Sequence, residues 1–137
     1  MKIKNLYFSP VKSLSFNNVD NLEIIKNIGI KNDRIFAFTN NLNLKDIELI
    51  KNNPLKREIY KFLSLKKYPE LNQYNFLLED NFLILEFENK IILKTDIDNQ
   101  YEVKILCSKL EDILPNINNI NLLKDRENPF FDTMPNK

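Results

Sequence analysis

Residues 74–93 hold three short apolar runs, 74–78, 82–87 and 91–93, interrupted by Glu79-Asp80-Asn81 and Glu88-Asn89-Lys90. Runs this short, rich in Phe, Leu and Ile and closed by polar turn residues, do not reach helix length and have the pattern of a β-meander. Three strands alone make a marginal unit, so the meander demands further elements to cover one of its faces. The rest of the chain offers several extended segments. Residues 3–8 are rich in strand formers and stop at Ser9-Pro10, where proline removes a donor and restricts its predecessor. Residues 22–25 lead through Asn27-Ile28-Gly29 into the strand-like run 34–39, and Gly29, the single glycine, stands where a positive φ is easiest. Residues 58–63 and 101–106 also read as extended, and Tyr68-Pro69-Glu70-Leu71 as a turn or one helical turn. At least six short strands predict a mostly β fold, a small β-barrel or meander with one or two short helices.

Two segments read as helices. In residues 40–53, Leu44, Ile47 and Ile50 recur at helical spacing. Ser108-Lys109-Leu110-Glu111 has the form of a capping box, in which each side chain satisfies an orphan amide, and Leu110, Ile113 and Leu114 follow on one face before Pro115. Residues 116–137, with their Asn-Ile repeats and the charged Lys124-Asp125-Arg126-Glu127, have the composition of a linker. Within it the adjacent Phe130 and Phe131 are apolar surface that calls for a cover.

Charge and composition remove several classes of function. Twenty Lys plus Arg against nineteen Asp plus Glu give a net charge of +1, which provides no long-range attraction for nucleic acid or an anionic membrane. Any anion site must therefore be local. With no His and one Cys, the chain lacks the usual general base, the commonest transition-metal ligand and the means to form an internal disulfide. No catalytic residue and no metal ligand is assigned. The start Met1-Lys2-Ile3-Lys4-Asn5 runs into alternating sequence, not an apolar signal core, and no membrane-length apolar run follows, so a cytoplasmic protein is expected.

Four pieces of the chain, in order, resemble the N-terminal β-barrel domain of MOSC-family proteins. They are Tyr7-Phe8-Ser9-Pro10-Val11-Lys12-Ser13-Leu14, then Gly29-Ile30-Lys31-Asn32-Asp33-Arg34-Ile35-Phe36, then Phe62-Leu63-Ser64-Leu65-Lys66-Lys67-Tyr68-Pro69-Glu70-Leu71, and the meander around Leu83-Ile84-Leu85. The likeness spans residues 1–95, and Phe130-Phe131-Asp132-Thr133-Met134-Pro135 resembles the junction into a MOSC domain proper. Leu65 departs from the family, which commonly has a polar residue there.

The resemblance implies a barrel domain over residues 1–106 and, over 107–137, a short helix and linker leading toward a MOSC domain absent from this sequence. It also implies a molybdenum cofactor, molybdopterin, whose phosphate end is gripped partly by this domain while the molybdenum-ligating cysteine belongs to the MOSC domain. Carried over by motif, the gripping residues are Lys12, Ser13 and Arg34, with Lys66 and Lys67 as secondary contributors to a positive rim. Their chemistry suits the role: an ammonium, a hydroxyl and a planar fork that binds phosphate in bidentate fashion. Loops that follow the proline turn and the glycine turn would converge on one rim of a barrel.

Each sharp reading has a plain rival. Lys12 and Ser13 also fit an exposed turn, Asp33-Arg34 a surface charge pair, and Lys66-Lys67 a solvated pair. Cys107, among Ile105 and Leu106 at the end of an expected strand, reads as a small inert thiol. Glu86 with Glu88 and Asp96 with Asp98 imitate an acid-base or oxygen-ligand pair, but carboxylates two apart on a strand more often form a solvated face. The expected function is a cofactor-anchoring domain of a molybdenum-dependent oxidoreductase or sulfur-transfer protein, inactive alone, whose partners are molybdopterin and a MOSC domain on the same or a separate chain. The alternative is a non-enzymatic interaction module, or a truncated product, that docks a separate MOSC partner through Phe130, Phe131 and the open rim.

Overall fold

The computed structural model describes residues 5–59, 62–114 and 117–130. Among these residues, nine strands and two α-helices follow in the order β1 (Leu6–Phe8), β2 (Asn17–Val19), β3 (Ile24–Ile25), β4 (Gly29–Ile30), β5 (Phe36–Asn40), α1 (Leu44–Asn52), β6 (Tyr74–Glu79), β7 (Phe82–Phe87), β8 (Lys90–Asp96), α2 (Gln100–Ile113) and β9 (Ile120–Lys124). Two 3-10 segments, Pro54–Ile59 and Pro69–Gln73, lie between α1 and β6. The fold is mostly β, as the sequence indicates, but the barrel expectation is corrected. The strands form four small antiparallel sheets, β1-β2, β3-β4, β5-β9 and β6-β7-β8, with no closure among the described residues. β1 to β4 are two or three residues long, too short to carry a continuous ladder around a barrel.

β6, β7 and β8 form the meander read from the sequence. Its second turn is the two-residue Glu88-Asn89 with φ of 51° and 64°, the positive pair that matches the right-handed twist of the flanking strands. Alternation turns Leu83 and Leu85 of β7 into the core, and a bulge at Leu85/Glu86 shifts the pairing with β8. The outer edge of β6 is covered by side chains in place of a strand. Ser15 Oγ accepts from the Phe76 amide at 2.8 Å, and Asn17 Nδ2 donates to the Phe76 carbonyl at 2.7 Å. Gly29 has φ of 119°, as its place in the turn requires.

β5 stands between two cores. Phe36 and Phe38 point into the larger one with Val11, Leu14, Leu63, Phe76, Leu85, Leu106 and Leu110, whereas Ala37 points into a smaller one with Ile47, Ile50, Leu123 and Phe130. A strand buried on both faces must have its polar groups paired along both edges. One edge of β5 pairs with β9 throughout, from Phe36↔Lys124 to Asn40↔Ile120. Along the other, the Phe36 amide donates to the Pro10 carbonyl, the Lys12 amide to the Phe36 carbonyl (2.8 Å) and the Leu63 amide to the Phe38 carbonyl (2.9 Å).

Several expectations for the second half of the chain are corrected. Residues 101–106 are not a strand: α2 begins at Gln100, with Asn99 as N-cap accepting from the Tyr101 and Glu102 amides. The alternation of Tyr101, Val103 and Ile105 imitates a strand, yet the buried set Leu106, Cys107 and Leu110 is helical, and Tyr101 and Ile105 are exposed. Ser108-x-x-Glu111 is consequently mid-helix and caps nothing; Glu111 reaches across to accept from the Ile120 amide at 2.9 Å. Cys107, expected at the end of a strand, sits on α2 accordingly. Residues 120–124, expected as linker, form β9, and Phe130 is buried in the smaller core instead of exposed. Phe131 lies outside the described residues.

The segment expected as extended at 58–63 begins within a 3-10 turn that ends at Ile59; residues 60–61 lie outside the description, and Phe62 bridges Thr39. Residues 3–4 of the first expected strand also lie outside it. α1 matches the expected helix, with Asn43 as N-cap and Ile47 and Ile50 buried, although Leu44 faces solvent. No helix among the described residues is long and apolar enough to cross a membrane.

The two-sided burial of β5 has a measurable cost attached. Truncating Phe38, 1% exposed and in contact with the Phe76 ring at 5.4 Å, is expected to destabilise the fold by about 3–5 kcal/mol through lost burial and the cavity left behind. When both variants are compared with wild type by urea titration, Tyr101→Ala on the exposed face of α2 is expected to stay within about 0.5 kcal/mol of wild type.

Candidate functional site: a basic loop cluster around the start of β5

Ser9 organises the turn that carries Lys12 and Ser13. It is buried; its amide donates to Asp33 Oδ1 at 2.9 Å, and its hydroxyl is shared between the carbonyls of Val11 (2.7 Å) and Ser15 (2.9 Å). These bonds curl residues 9–15 into a compact loop and fasten it to the Asp33-Arg34 turn. The Arg34 amide in turn donates to the Ser9 carbonyl. Asp33, which also fits a surface charge pair on the sequence, is 7% exposed and serves as the buried acceptor linking the two loops.

The third segment joins through Ser13, whose carbonyl accepts from the Leu65 amide at 3.1 Å. Lys66 and Lys67 follow directly in the 65–67 turn and are exposed. The backbone segments bearing Lys12, Ser13, Arg34, Lys66 and Lys67 are thus bonded into one neighbourhood. Lys12, Ser13 and Arg34 are each partly buried. Lys12 Nζ lies 5.8 Å from the centre of the Phe62 ring, within cation–π range, and Lys67 Nζ lies 5.6 Å from that of Tyr68. Arg34 Nη1 donates to Asp33 Oδ2 at 2.9 Å, and 28% of its side-chain surface remains open to solvent.

Ser13 and Arg34 have φ of 58° and 52°. Residues other than glycine rarely take the left-handed region unless the surroundings hold them there. Here the holding bonds are those of the Ser13 carbonyl to Leu65, and of the Arg34 amide and carbonyl to Ser9 and to the Phe130 amide. These joined segments carry an ammonium, a hydroxyl and a guanidinium, the residue types that suit a phosphate.

Other residues singled out from the sequence have structural work. Asp96 Oδ1 and Asp98 Oδ2 both accept from Asn81 Nδ2, at 2.9 and 2.7 Å, and so pin the turn between β8 and α2. Cys107 is buried against β9 at the floor of a cleft of about 500 Å³ between α2 and β9. Burial raises its pKa from 9.0 to about 11, opposed by a hydrogen bond from the Leu122 backbone and reinforced by the Glu111 carboxylate.

Sequence reasoning passed over Arg57. It is 5% exposed; Nε donates to the Ile50 carbonyl (2.9 Å), Nη1 to the Asn128 carbonyl and Nη2 to Asp125 Oδ2 (2.6 Å), with the guanidinium 4.3 Å from the Phe130 ring centre. No local signal marks it, because the partners at Asn128 and Asp125 are 71 and 68 residues away. Comparison with protein-family models, curated proteins and solved structures finds no match to this chain.

The thiol shift gives a signed expectation. A folded-state pKa raised above the unfolded one means that the native state holds the proton more tightly, so the contribution is complete below about pH 9 and is lost as pH rises toward 11. Thiol-reagent titration at pH 8 is expected to label Cys107 slowly in the native chain and rapidly in urea. The stability of Cys107→Ala is expected to fall less steeply than wild type across that alkaline window.

Proposed function

We propose that this chain grips the phosphate end of a molybdopterin cofactor, in the manner of the N-terminal domain of a MOSC protein, and has no chemistry of its own. The observation that supports the reading is the bonding of the three motif-bearing segments to one another: Arg34 to Ser9, Lys12 to Phe36 and Ser13 to Leu65, all at the start of β5. These segments are far apart in sequence, and they are three of the four in which the resemblance to the MOSC N-terminal domain resides.

The residues present suit the phosphate end of that group. Arg34 is held by Asp33 with its side chain 28% exposed, and Lys12 and Ser13 lie on the loop fastened beside it. Lys66 and Lys67 add positive potential nearby and are too exposed to fix an orientation. When bound, the cofactor supplies the oxidation-reduction or sulfur-transfer chemistry of molybdenum. This domain supplies position and charge compensation, and the complete protein would be a molybdenum-dependent oxidoreductase or sulfur-transfer protein acting together with a MOSC domain. The cytoplasmic setting expected from the sequence belongs to the same proposal.

The rival reading, docking of a separate partner through Phe130 and Phe131, loses Phe130, which is buried against Ala37, Ile47, Ile50 and Leu123. Titration of the purified chain with molybdopterin, or with a simpler phosphorylated pterin, tests the proposal. Saturable binding is expected, weakened at least about tenfold by Lys12→Ala and by Arg34→Ala, as follows from loss of a charge-assisted bond. It is also expected to weaken from low to moderate salt. A folded wild-type chain that shows no binding contradicts the proposal.

A further inference from the structure

We propose that Arg57 is a positioning residue for the anion site, acting through the strap of residues 125–130; the inference rests on the phosphate-grip reading above. Beyond the end of β9 the chain leaves the ladder and returns alongside the start of β5. The Asp125 amide donates to the Ile35 carbonyl at 2.8 Å, and the Phe130 amide donates to the Arg34 carbonyl at 2.7 Å. The second of these bonds holds Arg34 from its C-terminal side, as the Ser9 carbonyl holds it from its N-terminal side. Arg34 keeps its left-handed backbone, with φ of 52°, between those two bonds.

Among the described residues the strap belongs to no sheet. Its turn is shaped by Asp125 Oδ1, which accepts from the Glu127 amide at 3.1 Å and the Asn128 amide at 2.9 Å. The other oxygen of the same carboxylate is held by Arg57 Nη2. Arg57 also holds the Asn128 carbonyl and lies over the Phe130 ring, while its Nε is anchored on the Ile50 carbonyl near the end of α1. One planar fork therefore contacts three residues of the strap and ties them to a helix on the far side of the smaller core. A lysine keeps the charge but cannot make the three directed bonds or stack as a plane.

Releasing the fork frees the strap, frees the Arg34 carbonyl and lets the Arg34 backbone leave the left-handed region, which redirects its guanidinium. The hydrogen-bonded route from Arg57 to the site runs through Asp125 and Asn128 of the strap to the Phe130 amide and the Arg34 carbonyl.

The test uses inorganic phosphate as the probe, with affinity measured by calorimetry for the wild-type chain, Arg57→Lys, Arg34→Lys and the double variant, and with amide hydrogen exchange read at Phe130. Arg57→Lys is expected to weaken phosphate on the order of tenfold, the loss that follows displacement of a bidentate donor. It is expected to speed exchange at Phe130 and to add nothing to the loss already caused by Arg34→Lys. Phe130→Leu, which keeps an apolar side chain in the smaller core but removes the ring beneath Arg57, is expected to act in the same direction and serves where Arg57→Lys does not fold. If the wild type does not bind phosphate, or Arg34→Lys binds as wild type does, the site reading fails and the inference with it. If Arg34→Lys weakens binding but the folded Arg57 or Phe130 variant leaves it unchanged, or the losses add in the double variant, the site stands and the role of Arg57 is overturned.

Discussion

The burial of β5 on both faces is the constraint on which the rest of the structure depends. A strand with one face exposed can leave an edge to water, but Phe36, Ala37, Phe38 and Thr39 are essentially inaccessible. Their amides and carbonyls need partners on each side, or the desolvation of unpaired polar groups would outweigh the burial. The chain meets that need with β9 on one edge and with pieces of two loops, at Pro10–Lys12 and Leu63, on the other. Sheet pairing thereby recruits loops from the beginning and middle of the sequence and brings the basic residues together.

The parts legible in the sequence were those coded locally. The meander, the α1 periodicity of Ile47 and Ile50 and the positive φ at Gly29 all follow from neighbours within a few residues. Readings failed where a distant partner decided the outcome. Val103 and Ile105 alternate like a strand, but the Asn99 cap and the packing of Leu106 and Leu110 beneath the meander select a helix. The Asn-Ile tail lacks the look of a strand until β5 offers it an edge, and Phe130 looks stranded until Arg57 and the smaller core enclose it. For the site, the residue types were legible. The bonds that join their segments were not, because the Ser9–Asp33 and Ser13–Leu65 contacts exist only in the folded chain.

Buried charge is used here to set geometry. Asp33 and Arg57 are each nearly inaccessible and each satisfied by several directed bonds, the condition under which an ionised group can be buried without a large net penalty. Asp33 joins the Ser9 loop to Arg34, and Arg57 joins α1 to the strap that returns to Arg34. Both therefore act on the one residue whose planar fork would recognise phosphate. With a net charge of +1 the molecule offers anions little long-range attraction, so the proposed recognition would rest on this local arrangement.

The most direct measurement is amide chemical-shift mapping of the isotopically labelled chain on addition of a phosphorylated pterin. The account predicts saturable shifts concentrated at Lys12, Ser13, Arg34 and the 65–67 turn, three stretches that are distant in sequence but bonded together at the start of β5. Shifts concentrated instead in the cleft between α2 and β9, or no shifts from a chain whose spectrum is that of a folded protein, would contradict it.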